Sequence, residues 1–120
     1  MTVRRMKTYA GGQGYVYQYY FVGKRQTSSD GSSPPANEYV FDVTADRKTS
    51  FPVSIFLPQN ALETWAESHG RTLTEAEQYA AVKMRLFQAF DEIENLSNSD
   101  HHFLIAAALL ENLLAKLGVD

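Results

Sequence analysis

The densest run of aromatic and β-branched residues in the chain is Tyr15–Val22. Because successive side chains of a strand point to opposite faces, this run divides into two sets. The odd-numbered set is Tyr15, Tyr17, Tyr19 and Phe21, and the even-numbered set is Val16, Gln18, Tyr20 and Val22. The pattern predicts a strand over about 15–25 whose odd face is buried. Its even face is also mostly apolar, which indicates either a strand covered on both sides or a face that meets a partner.

Two later segments, 38–45 and 50–57, alternate in the same way, with aromatic or aliphatic residues at odd positions. The short polar turn between them predicts a β-hairpin. Pro52 has no amide hydrogen to donate, so we expect a sheet edge beside it. Residues 2–9 alternate poorly and are open as either a further strand or an arm.

Apolar residues at spacings of three and four predict helices after the third strand. The first is expected at about 61–69, with Asn60 as its N-cap and Gly70 just beyond its end. The second is expected at about 75–95, opened by the capping box that begins at Thr74.

The last segment has two interpretations. Phe103–Leu110 is apolar all round, unlike an amphipathic surface helix. One interpretation is a short strand at 101–105 followed by a helix at 106–117, and the other is a single deeply buried helix. We favour the split.

Strands that precede helices predict an α+β fold. We expect an antiparallel sheet of three to five strands, covered on its odd face by two or three helices. A length of 120 residues predicts one domain over 1–120. The Ser-, Pro- and Gly-rich segment 26–37 is expected to be a mobile loop.

Composition excludes several classes of chemistry. The chain has no cysteine, which removes disulfides, thiolate nucleophiles and cysteine-based zinc sites. Its longest apolar run has eight residues, against roughly 20 for a membrane span. We therefore expect a cytoplasmic protein without a membrane partner.

Two motifs have residue types that occur in phosphate-binding or metal-binding sites. Gly11-Gly12-Gln13-Gly14 has the glycine content of a phosphate loop, but a strand follows it where a phosphate loop needs a helix start. A tight turn is the better interpretation. His101 and His102 are adjacent, so they cannot face one metal from regular structure. The sequence predicts no catalytic residue, no metal site and no cofactor.

The even face is the candidate site. Its predicted members are Val16, Gln18, Tyr20, Val40 and Phe56. An apolar surface with little charge at its centre suits a protein interface. The sequence therefore predicts a small non-catalytic interaction or accessory domain. We expect it to bind a protein partner or a second copy of itself, through this face or through the C-terminal helix.

Two other functions stay open. Net charge is −3, yet residues 1–50 carry seven Lys and Arg against four acids, whereas 51–120 carry four against ten. A basic, aromatic sheet end is typical of single-stranded nucleic-acid binding, here with Arg4, Arg5, Lys24 and Arg25 as its rim. The second alternative is a small enzyme whose signature is not recognised.

Overall fold

The computed structural model describes residues 6–12, 14–27, 35–93, 96 and 101–119. Arg4 and Arg5 of the expected nucleic-acid rim lie outside the described residues, as does most of the Ser-, Pro- and Gly-rich segment.

The described residues form five strands and three helices. In chain order they are β1 (Lys7–Ala10), β2 (Val16–Thr27), β3 (Ala36–Thr44), β4 (Phe51–Pro58), α1 (Gln59–His69), α2 (Glu75–Glu92), β5 (His102–Leu104) and α3 (Ala107–Lys116). This arrangement confirms the α+β fold and the split of the last segment. None of these helices is long and apolar enough to cross a membrane.

The strands lie in one open sheet in the order β1-β2-β3-β4-β5. The first four run antiparallel to their neighbours, but β5 runs parallel to β4. The sheet is therefore antiparallel, as expected, at every pair of strands except this one. The chain leaves β4 through α1 and α2 before it returns as β5, and such a crossover brings the chain back in the parallel direction.

The core lies between the helices and the odd face of the sheet. Tyr17 and Tyr19 of β2 are almost fully buried, and the ring of Tyr17 stacks on Phe90 of α2 with centroids 4.4 Å apart. The odd positions Tyr39, Phe41, Val43, Val53, Ile55 and Leu57 on β3 and β4 are buried in the same cluster. The predicted helix-packing face is confirmed.

Phe21 departs from the expected burial. Its side chain is 38% exposed although it belongs to the aromatic set of β2. The last pair between β1 and β2 joins Lys7 to Tyr19, so Phe21 lies beyond the end of β1. It meets Tyr79 of α2 edge-on, with centroids 5.2 Å apart, and keeps part of its ring at the surface.

The start of α1 also differs from the expectation. The helix begins at Gln59, and Pro58 rather than Asn60 is its N-cap, without a side-chain hydrogen bond. The amide of Gln59 donates instead to the carbonyl oxygen of Pro35, 3.0 Å away. Because the helix leaves β4 directly, Asn60 is already inside the first turn. Gly70 ends the helix at φ 72°, as predicted.

The capping box at the start of α2 is confirmed. The Thr74 hydroxyl accepts a hydrogen bond from the amide of Glu77, whose carboxylate accepts one from the amide of Thr74. The helix ends at Glu92, three residues before the expected position, because Ile93 is extended at ψ 113°.

The loop between β2 and β3 is shorter than expected. Gln26 pairs with Asn37 and Thr27 pairs with Ala36, so the first two and the last two residues of the segment 26–37 belong to strands. The Thr27 hydroxyl also hydrogen-bonds the amide and the carbonyl of Ala36. Residues 28–34 lie outside the described residues.

Candidate functional site

We call the face of the sheet opposite the helices the open face. It carries the even-numbered residues of β3 and β4 and their cross-strand neighbours. This face contains all five residues of the predicted interface, Val16, Gln18, Tyr20, Val40 and Phe56. It is partly exposed, whereas the helices cover most of the odd face.

A bulge in β2 reshapes the open face. The ladder shifts register between Phe21 and Gly23 and leaves Val22 as an extra residue. A bulge moves the following residues to the opposite faces. Arg25, an odd-numbered residue, therefore lies on the open face and pairs with Glu38 of β3.

Glu38 is the centre of a polar network on this face. It is only 5% exposed, and its Oε1 lies 2.6 Å from Nε of Arg25. The Ser54 hydroxyl donates to Oε2 at 2.8 Å. Burial raises the pKa of Glu38, but the hydrogen bonds from Arg25 and Ser54 together bring that pKa below its ordinary value. The carboxylate is therefore ionised and held in place at neutral pH.

Tyr20 has a fixed partner on the neighbouring strand. Its hydroxyl donates to Oδ2 of Asp42 at 2.6 Å, in the row directly opposite. The ring is half-buried. The ring of Tyr20 is therefore held in place by this hydrogen bond. The same bond gives Asp42, the second carboxylate of the open face, a partner within the chain.

A shallow depression of about 500 Å³ lies at the middle of this face. Its floor is one row across four strands, Gly23, Val40, Ser54 and His102. The first three are small, so the floor is low, while Arg25 and Val22 belong to its lining. The size is within the range of ligand pockets, but the shape is open rather than enclosed.

Exposed apolar side chains lie on the same face as this depression, on β2 and β5. Val16 is 51% exposed, Val22 is 40% exposed and Leu104 on β5 is 58% exposed. Val40 and Phe56 are half-buried on the adjoining rows. Val16 lies at the β1 end of the face, about 13 Å from Tyr20 along the strand. The predicted residues thus share a face but form two groups.

Sequence reasoning missed the network of Arg25, Glu38 and Ser54, and it missed Leu104. The alternation of side chains could have placed Glu38 and Ser54 on this face, because both are even-numbered strand residues like Val40. The signal for Arg25 is less direct: it reaches the face only through the bulge, and the glycine at position 23, inside a strand, is typical of a bulge.

The open face has groups that resemble hydrolytic machinery but lack its arrangement. The Ser54 hydroxyl donates to a carboxylate that is already paired with Arg25 and has a lowered pKa, which makes Glu38 a weak base. His102 stacks against Phe56 on this face, whereas His101 stacks against Phe51 on the other. In the part of the chain that the structure describes, no group of three His, Asp or Glu residues is placed to hold a metal ion.

The glycine-rich turn has a structural role. The Asp91 carboxylate at the end of α2 accepts hydrogen bonds from the amide of Gly12 at 3.0 Å and from the Tyr9 hydroxyl at 2.9 Å. The amide of Gly14 donates to the carbonyl of Gly11 and closes the turn. A carboxylate at this place repels phosphate. The glycine-rich segment is therefore better interpreted as a tight turn than as a phosphate loop.

The expected basic rim is divided between surfaces. Arg25 lies on the open face and is held by Glu38, whereas Lys24 lies on the helix side, 5.6 Å from the ring centroid of Tyr39. The two residues therefore do not form one edge of a binding surface.

Comparison with known proteins gave no match: no protein-family model, no curated protein and no solved structure shows significant similarity to this chain.

Proposed function

We propose that this protein is a non-catalytic interaction domain that pairs with a second copy of itself through the open face. The observation that carries the proposal is the exposure of Val16, Val22 and Leu104 on one sheet face whose carboxylates Glu38 and Asp42 are each hydrogen-bonded within the chain.

The apolar content supports an interface. Single exposed apolar residues are ordinary on protein surfaces. Here they come from both outer parts of one face, and the half-buried Val40 and Phe56 lie between them. Apolar side chains grouped in this way are typical of a surface that a partner covers.

The charges of the face are compatible with burial. Covering an unpaired charge is costly, and a docked surface usually avoids it. Glu38 is bonded to Arg25 and Ser54, and Asp42 is bonded to Tyr20. A partner therefore does not have to supply a counter-charge to Glu38, which favours another mostly apolar face such as that of a second copy.

The dimensions also agree with a dimer. The five strands have 4, 12, 9, 8 and 3 residues, which at about 3.3 Å per residue and about 4.8 Å between strands present roughly 570 Å². A standard stable interface covers about 800 Å² on each partner, with a lower limit of about 600 Å². Two copies packed open face to open face therefore come close to the lower end of the usual range.

The alternative surface on the C-terminal helix has less support. The apolar residues Leu110, Leu113 and Leu114 of α3 are fully buried in the core. Leu117 beyond its end is 39% exposed, but it belongs to no comparable apolar group. The cytoplasmic location expected from the sequence stays a prediction.

The test is the mass of the protein in solution over a range of concentrations. Light scattering coupled to size exclusion is expected to give a dimer at high micromolar concentration. Leu104→Glu places a charge at the β5 edge of the proposed contact and should give a monomer, whereas Leu117→Glu should still dimerise. A wild-type protein that stays monomeric, or a Leu104→Glu variant that dimerises equally well, would contradict the proposal.

A further inference from the structure

On the helix side of the sheet, where β1 and β2 meet α2, a lysine is surrounded by aromatic rings. The ammonium nitrogen of Lys83 lies within 6 Å of three aromatic rings. The distances to the ring centroids are 5.9 Å for Tyr19, 5.8 Å for Tyr79 and 5.7 Å for Phe87. Lys83 is half-buried among these rings.

A second lysine lies on the same side of the sheet, because Lys7 of β1 is the cross-strand neighbour of Tyr19, whose ring centroid is 5.9 Å from the Lys83 nitrogen. Burial lowers the pKa of Lys83, and the charge of Lys7 lowers it further. Two like charges close together repel each other, and an anion between them relieves the repulsion.

The described neighbours of the two lysines on α2 and β2 do not supply that anion. Along α2 the positions three and four residues from Lys83 are Tyr79, Ala80, Leu86 and Phe87, none of which is acidic. The cross-strand neighbour of Lys7 is Tyr19. Among the described residues, no ion pair involves Lys7 or Lys83.

An exposed ring continues the cluster. Phe21 is 38% exposed and lies 5.2 Å from Tyr79, centroid to centroid, on the same side of the sheet. Any of the nucleobases can stack on such a ring, while neighbouring cations bind the phosphate of the same nucleotide. The pair of lysines and the exposed ring thus offer the two contacts that a nucleotide requires.

We propose that Lys7 and Lys83 bind a phosphate group of a nucleotide whose base stacks on Phe21. The nucleotide is either free or a unit of a single strand. This site lies on the helix side of the sheet, so it is separate from the open face and does not depend on self-association.

The experiment uses the full chain at low salt and three probes: a fluorescein-labelled oligo(dT), AMP and inorganic phosphate. The labelled strand is followed by fluorescence anisotropy, and the other two are followed by calorimetry and by competition. Binding of the strand with a log–log salt slope of about −0.7 is expected for one neutralised phosphate. Binding of AMP without preference for the strand would identify a free nucleotide as the source.

The variants separate the contacts. The double variant Lys7→Gln with Lys83→Met keeps the apolar stem of Lys83 and should weaken binding about ten-fold, whereas Lys83→Arg should retain it. Phe21→Ala should weaken the strand and AMP at least about five-fold and leave phosphate unchanged. Lys48→Gln, in the turn after β3, is the control for diffuse attraction. Circular dichroism establishes that each variant is folded.

Three results would overturn the site. The first is no binding of any probe by the wild-type protein at low salt. The second is a double variant that binds as well as Lys48→Gln. The third is phosphate binding as tight as AMP binding, which removes the ring from the site. Leu104→Glu should bind as the wild type does, which separates this proposal from the dimer.

Discussion

Gly11 lies directly against the carbonyl oxygen of Phe90, at the end of α2. A Cβ added to Gly11 would be 2.4 Å from that oxygen, a distance that requires the backbone to move. The contact fixes the turn before β2 to the last part of α2, beside the hydrogen bonds that Asp91 accepts from Tyr9 and Gly12.

The Gly11→Ala variant is therefore expected to destabilise the protein by about 1–3 kcal/mol, the usual effect of overpacking. Gly23→Ala is the matched control, because a Cβ at Gly23 has no heavy atom within 4 Å and its φ is not positive. Urea unfolding measures both. Equal stability of the two variants would show that the contact of Gly11 with α2 is not restrictive.

Arg25 and Glu38 are expected to be coupled in stability. Arg25→Gln leaves a 5% exposed carboxylate with Ser54 as its remaining partner, so it should destabilise the fold. Glu38→Gln added to Arg25→Gln should recover part of the loss, because the uncompensated charge is then removed. A double-mutant cycle in urea gives the coupling. Simple addition of the two single effects would argue against the pair.

Asp46 is expected to contribute to stability in a defined pH range. Hydrogen bonds from the backbone amides of Thr49 and Lys48 lower its pKa to about 2. The ordinary value is about 3.9. Because the pKa is lower in the folded state, the contribution is fully present above about pH 4 and is lost as the pH falls towards 2.

The measurement compares wild type with Asp46→Asn by urea unfolding from pH 7 to pH 2. The stability difference between the two proteins should shrink below pH 4. Glu67→Gln, at an exposed position of α1, is the control for a general charge effect. A difference that stays constant down to pH 2 would contradict the assignment to Asp46.

The buried leucines of α3 are expected to supply most of the energy that packs this helix against the core. Leu113 is fully buried, whereas Leu117 is 39% exposed. Leu113→Ala should cost about 2–5 kcal/mol, the usual range for a buried leucine. Leu117→Ala should change the free energy of unfolding by less than about 1 kcal/mol. Similar losses at both positions would mean that α3 is packed differently.

Local patterns were enough to predict most of the elements. Alternation assigns the odd positions of β2, β3 and β4 to the core, and Tyr17, Tyr19 and the odd positions of β3 and β4 from Tyr39 to Leu57 are buried there, with Phe51 half-buried. Phe21 is partly exposed, and the odd positions of β2 after the bulge lie on the open face. The capping box of Thr74 and the glycine that ends α1 were also predicted correctly. These features depend on residues close together in the chain, so their side-chain chemistry is visible in the sequence.

The candidate interface could be predicted in part. Its face follows from the same alternation, which explains why Val16, Gln18, Tyr20, Val40 and Phe56 all lie on it. The partners of those residues did not follow, because Tyr20 meets Asp42 only when two strands take one particular register.

The bulge at Val22, the parallel β5 and the contact of Gly11 with Phe90 were decided by tertiary structure. The bulge moves Arg25 to the face of Glu38, and no periodicity marks it in advance. The direction of β5 depends on where α1 and α2 bring the chain back. In each case the stabilising contact joins residues distant in sequence, so the alternation of side chains specifies which face a residue occupies, while the packed chain specifies which neighbour it meets there.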